Sequence, residues 1–144
     1  MANELAFPNG MVIRPDNKTL VVGESFAARL TAFDIDDDGS LSNRRVWADS
    51  VGPDGICLDA DGCIWASSAS MANDCARIRE GGDVLERIEL GRPCFAAMLG
   101  GPDRRTLFML TADWRGTEAV EDVVKARTGQ VLVVDTPAPG VGWP

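Results

Sequence analysis

The chain has 144 residues, 45% hydrophobic and 25% charged, with a formal net charge of −8 and no histidine. That length and balance suit one folded domain and exclude a disordered chain. The negative charge speaks against a nucleic-acid partner, no window reaches the ~18 apolar residues of a membrane span, and without histidine no Ser-His-Asp or Cys-His pair can be built within one chain.

The start, MANELAFPNG, has no basic end followed by an apolar stretch, so no secretory signal and a cytoplasmic location are expected. GMVI and TLVVG follow as short apolar, β-branched runs around RPDNK, a turn-forming cluster. GESFA (Gly23 to Ala27) has the outline of a nucleophile elbow, but Ala27 stands at the second glycine position and there is no histidine base. RLTAFDI alternates with Leu30 and Ala32 inward and Thr31 outward, DDDGS is a hairpin turn, and NRRVWAD is an outer strand. DIDDDG fits the first half of a calcium loop, but the twelfth position holds Arg45 instead of glutamate and no helices flank it. Arg44 with Arg45, and Arg104 with Arg105, read as solvated charges at strand edges.

The second stretch gives GICL, CIWAS, CARIRE and VLERIEL, with turns at DADG and EGGD. The third gives FAAML, TLFMLT and QVLVVD, with a short helix or excursion loop in ADWRGTEAVEDVVKARTG, and no fourth strand is evident in the Pro- and Gly-rich end. Cys57, Cys63, Cys75 and Cys94 show no C-x-x-C spacing and read as small buried thiols. Cys57 and Cys63 flank a turn and are candidate neighbours.

These stretches repeat. Aligning Asn9 with Asp54 brings Asp16 onto Asp61, MVI onto ICL and LVVGES onto IWASSA, an offset of 45 residues. Matching Asp103 to Asp61 adds a third unit 42 residues on, with Ala96 at the Asn9 and Asp54 position. Units of ~40–45 residues with four short strands each are β-propeller blades. The expected fold is therefore an all-β propeller of three blades, over residues 1–50, 51–91 and 92–144, in preference to a β-sandwich.

The first strand of a propeller blade lines the central channel, so equivalent residues just before it converge at one mouth. Asn9 and Asp54 hold that position, and their oxygens suit a hard divalent cation such as calcium or magnesium. Gly10 and Gly55, next in each unit, are expected to allow tight turns. Glu24, at the end of its strand, is a further carboxylate within possible reach of the mouth, weighed against a solvated strand end. Trp65 reads as core rather than as a sugar platform.

FPNGMVIRPDNKTLVV, GPDGICLDADGCIWAS and GGPDRRTLFMLTA, in this order, resemble the gluconolactonase and senescence-marker-protein (regucalcin-like) family over nearly the whole chain. The resemblance implies a six-bladed propeller with a divalent metal at the channel mouth and hydrolysis of sugar lactones. It assigns Asn9 and Asp54 as metal ligands and Asp54 as general base. Calcium is the implied ion, with zinc, manganese or magnesium as alternatives. The match is to the C-terminal half of such proteins. The family's ligand glutamate and its substrate-holding arginine and asparagine have no counterparts here.

Three blades would leave two open edges and half a core. A closed two-fold homodimer is the expected solution, placing two copies of Asn9 and Asp54 around one axis. The function expected is a metal-dependent lactone hydrolase acting on a small-molecule substrate. Two alternatives stand beside it: a non-catalytic small-ligand or metal-binding ring, and a half that needs a separate partner chain.

Overall fold

Short strands of alternating or continuously apolar residues, each closed by a Gly- or Asp-containing turn, can only bury themselves as stacked antiparallel sheets, and three such sheets form. The computed structural model describes residues 1–68 and 72–142. Ala69, last in the IWASSA match, and the final two residues of the third unit lie outside them.

Blade 1 is a meander of β1 (Pro8–Ile13), β2 (Thr19–Glu24), β3 (Arg29–Ile35) and β4 (Leu41–Ala48). Blade 2 repeats it with β5 (Ile56–Leu58), β6 (Ile64–Ser68), β7 (Asp74–Ile78) and β8 (Val84–Glu89). Blade 3 has β9 (Cys94–Gly100), β10 (Thr106–Thr111) and β11 (Gln130–Asp135), in the order β11-β10-β9. Between β10 and β11 the chain makes a 3-10 turn at Thr117–Ala119 and the one α-helix among the described residues, α1 (Val120–Ala126), in the stretch that had read as helix or excursion. No described helix is long and apolar enough to cross a membrane.

Why the middle blade reads as almost continuously apolar follows from its two neighbours. Its strands alternate in the usual period of two, but both faces are covered. Ile56, Leu58, Ile64, Ala66, Ala76 and Ile78 pack with Val12, Val21, Leu30 and Trp47 of blade 1. Cys57, Trp65 and Cys75 turn the other way and pack with Cys94, Ala97, Leu99, Leu107 and Met109 of blade 3. Trp65 is fully buried there, as core. The four cysteines are free and buried. The thiols that meet are Cys75 and Cys94, on strands of adjacent blades, whereas Cys63 belongs to the turn in which its amide donates to Asp59 Oδ1 at 2.9 Å.

The innermost strands touch one another directly. Gly10 N donates to the Asp54 carbonyl at 2.9 Å, and Gly55 N donates to the Phe95 carbonyl at 2.9 Å. A Cβ on Gly10 would stand 2.6 Å from Asp54 O, and one on Gly55 would stand 2.7 Å from Ala96 Cα. The two glycines therefore serve close approach, not the tight turns expected of them: neither is among the glycines with positive φ.

The exposed polar positions also differ from expectation. Thr31 is buried and donates to Glu24 Oε1 at 2.5 Å. Arg44 is not a free edge charge; it donates to the carbonyls of Asn3 (3.2 Å) and Glu4 (3.1 Å) and lies 6.0 Å from the Phe33 ring centroid. Arg45 pairs with Asp34 at 2.7 Å. Arg105 binds the carbonyl of Pro137, fastening the segment that leads across to the Asp59–Gly140 bridge.

Candidate functional site

Asn9 sits on β1 beside an irregularity in its pairing with β2 between Pro8 and Met11. Asp54 stands two residues before β5. Its backbone is held from several sides: Asp54 N donates to Ser67 O at 2.9 Å, Ser67 N returns a bond to Gly55 O at 2.9 Å, and Ser25 Oγ donates to Pro53 O at 2.7 Å. That last bond accounts for the serine of GESFA, which is a structural tie between blades 1 and 2.

The two side chains, 45 residues apart in sequence, meet: Asn9 Nδ2 donates to Asp54 Oδ1. The amide nitrogen is spent in this bond, which leaves Asn9 Oδ1 and Asp54 Oδ2 as the oxygens available to a ligand. Asn9 is exposed and Asp54 half-buried. Burial raises the Asp54 carboxyl above its ordinary value, and the bond from Asn9 opposes that rise.

At the third position of this ring of inner-strand residues stands Phe95, not Ala96. Val12 pairs with Val21, Cys57 with Trp65 and Met98 with Phe108. Counting back three residues from Val12, Cys57 and Met98 gives Asn9, Asp54 and Phe95. The backbone bonds agree, since the carbonyls that accept from Gly10 and Gly55 belong to Asp54 and Phe95. The third hairpin carries one more residue than the alignment on Asp103 allowed, and matching turns shifted the inner strand by one. The signal that finds Phe95 is the alternation within β9. Ala97 and Leu99 are buried against blade 2, so Met98 must face the other way, as Val12 and Cys57 do. The Phe95 ring meets Trp114 edge-on, with centroids 6.0 Å apart and an interplanar angle of 74°. The loop carrying Trp114 is tied by Arg92 to Asp113 at 3.4 Å and by Asp113 N to Thr128 Oγ1 at 3.0 Å.

Glu24 is neither a solvated strand end nor at the mouth. It is fully buried, with its carboxylate turned toward β3 and β4. It accepts from Ala6 N (2.7 Å), Arg29 Nε (2.9 Å), Thr31 Oγ1 (2.5 Å) and Arg44 Nη2 (3.4 Å). Four donors leave it no capacity for substrate, and it is a structural clamp on the N-terminal segment.

Among the described residues no group of three or more Cys, Asp or Glu side chains forms a metal cluster. A hard cation the size of calcium takes six to eight oxygens. Asn9 and Asp54 fit such an ion in the kind of donor, and supply two side chains toward that number.

Residues 1–113 match the SMP-30/Gluconolactonase/LRE-like region. The chain is 28% identical over 151 residues to 6-deoxy-6-sulfogluconolactonase from Pseudomonas putida, covering 100% of this chain and 51% of that protein. Its fold is that of a luciferin-regenerating enzyme (TM-score 0.80, 21% identity, 97% of this chain and 48% of that one). It is equally that of regucalcin, a calcium-binding protein from Agrobacterium tumefaciens (TM-score 0.77, 22% identity, 98% and 50%). The architecture is thus that of a β-propeller, and the chain spans about half the length of the curated relatives it matches.

Proposed function

The chain belongs to the SMP-30/gluconolactonase/LRE-like family, and from that membership and the Asn9–Asp54 pair we propose that it takes part in divalent-cation-dependent hydrolysis of small, sugar-type lactones or related esters. One observation carries the reading: an amide and a carboxylate from neighbouring blades share a hydrogen bond at the same end of adjacent inner strands. An isolated Pro-Asn-Gly or Pro-Asp-Gly turn would give no reason for the two to meet.

Asn9 Oδ1 and Asp54 Oδ2 are the atoms that would hold the cation. When bound, such an ion polarises a lactone carbonyl. The remaining work falls to the chain's own groups. Asp54 accepts a proton from the water that attacks the carbonyl carbon, and returns it to the ring oxygen as the C–O bond of the lactone breaks. Burial raises its carboxyl above the ordinary value, and a bound cation would oppose that rise. The hydrogen bond from Asn9 fixes the rotamer of the carboxylate and leaves its second oxygen facing the ligand. Phe95 and Trp114 add an apolar wall of the kind that receives the C–H face of a ring. The name of the Agrobacterium relative makes calcium the first ion to try, with zinc, manganese and magnesium as alternatives.

The test is hydrolysis of an aldonolactone with each ion added, in the purified protein and in Asp54→Ala and Asn9→Ala. Asp54→Ala should lose about 100-fold or more in kcat, and Asn9→Ala should weaken ion binding measured by calorimetry. An activity that Asp54→Ala leaves unchanged overturns the mechanism. The second reading, a ring that binds a small ligand without turning it over, draws on the shortage of donors in one chain. It predicts saturable ion or lactone binding with no hydrolysis by any of the four ions.

A further inference from the structure

At both junctions inside the chain the same positions meet. The forward-facing residues are Val12 and Val21 of blade 1 and Cys57 and Trp65 of blade 2, none more than 2% exposed. The backward-facing residues are Ile56 and Leu58 of blade 2 and Ala97 and Leu99 of blade 3, at 4–7%. The repeat carries both rows into the end blades. On blade 1 the N-terminal segment, tied to Glu24 and Arg44, covers the part of the backward face where Val22, Thr31 and Phe33 are buried, and leaves Met11 and Ile13 of the innermost strand open. Blade 3 presents Met98 (38%), Phe108 (37%) and Val133 (60%) forward, paired across its strands, with Leu110 (48%) and Val131 (62%) in the next row. Blade 1 presents Met11 (61%) and Ile13 (43%) backward, with Val46 (55%) on β4. Met11 and Ile13 are the counterparts of Ile56 and Leu58, and Met98 and Phe108 of Cys57 and Trp65.

We propose that a second copy of this chain covers both faces. The forward face of blade 3 in one copy seats on the backward face of blade 1 in the other, and a two-fold axis repeats the contact to close the ring. The apolar side chains left open on the two faces stand at the positions that meet at the internal junctions, so their contact is one the chain already makes twice. Contact at one junction alone would leave an apolar face open on each copy and propagate into a filament, whereas closure buries both. The geometry allows closure, because the chain covers 48% and 50% of the two propellers whose fold it shares. In the closed ring, Asn9, Asp54 and Phe95 each occur twice around one axis, giving four oxygen-bearing side chains. That consequence rests on the metal reading above; the pairing itself does not.

Sedimentation equilibrium on the 144-residue protein tests the pairing without any reference to activity. The expected mass is twice 15.4 kDa. Phe108→Glu and Met11→Lys, each alone, should raise the dimer dissociation constant by more than 100-fold, while Leu85→Glu, exposed on the outer strand β8 of the middle blade, should leave it unchanged. Mixing Phe108→Glu with Met11→Lys should restore the dimer, since one junction is then native and the other joins opposite charges; restoration also shows that both variants are folded. A monomeric parent protein, with the faces met by blades of another polypeptide, overturns the proposal. So does a dimer indifferent to both substitutions, or a mixture that stays monomeric.

Discussion

Replacing Glu24 by glutamine tests whether a buried carboxylate can hold a blade together. Burial by itself pushes the Glu24 carboxyl up, but the hydrogen bonds from Arg29, Thr31 and the Ala6 amide, with the Arg29 charge, outweigh it and hold the group down at about 2, against an ordinary 4.5. A carboxyl depressed on folding binds fewer protons in the native state than in the unfolded one over that interval. Its contribution to stability is therefore complete above pH ~4.5 and is lost as pH falls toward 2. The size of the gap corresponds to about 3 kcal/mol, or about 10 °C in Tm for a chain of this length. Glutamine keeps the shape and removes the charge, leaving Arg29 and Arg44 without their counter-ion. Urea melts of the two proteins across pH 2–8 would measure it. The stability difference should be flat near 3 kcal/mol from pH 8 to about 6, shrink below pH 5 and nearly vanish close to pH 2. Every other carboxylate titrates alike in both proteins and cancels from the difference. A difference that does not change with pH would mean that packing, not charge, holds the clamp, and the reasoning would fail.

Gly55→Ala should cost about 1–3 kcal/mol, because its methyl group would press on the β9 backbone at Ala96; a melting curve reads the loss, and the same push should impair the Asp54 site. Gly39→Ala, at a turn with open space around it and a φ of +79°, should cost about 1 kcal/mol through backbone strain alone and leave ion binding at Asn9 and Asp54 untouched. The thiols should be inert to a polar disulfide reagent in the native protein and react fully in urea. Burial pushes the Cys57 thiol up to about 12, and the contact with Cys94 and burial push Cys75 up; the same contact draws Cys94 down, so the inertness expected of Cys94 rests on its complete burial.

Strand positions were legible because they depend on local alternation. RLTAFDI, TLFMLT and QVLVVD became β3, β10 and β11 as written. The convergence of Asn9 and Asp54 was legible too, since a repeat places equal positions at equal places in the architecture. What a residue faces depends on its neighbours in the stack, and here local pattern failed. Thr31 looked outward-facing because alternation was read as inside against outside. In a stacked blade both faces can be interior, and Thr31 lies in the second interior, against Glu24. Arg44 looked like a solvated edge because nothing in the sequence says that residues 3 and 4 return to it. Phe95 was displaced by one because turns vary in length at little cost, while strand register is fixed by what each face must bury.

The same distinction bears on the chemistry. A repeat read along one polymer gives an asparagine, an aspartate and a phenylalanine in order around an axis. The asparagine and aspartate are joined by a hydrogen bond, and the phenylalanine is joined to Trp114. On the function proposed above, two oxygen donors beside an aromatic edge would form part of a cation site and one wall of a pocket. If a second copy closes the ring as proposed, the site would be completed at the two end faces, by residues that touch no ligand. On the proposed reading Met11 and Phe108 would govern the function as firmly as Asp54: Asp54 would supply the base, and they would decide whether a closed channel mouth surrounds it.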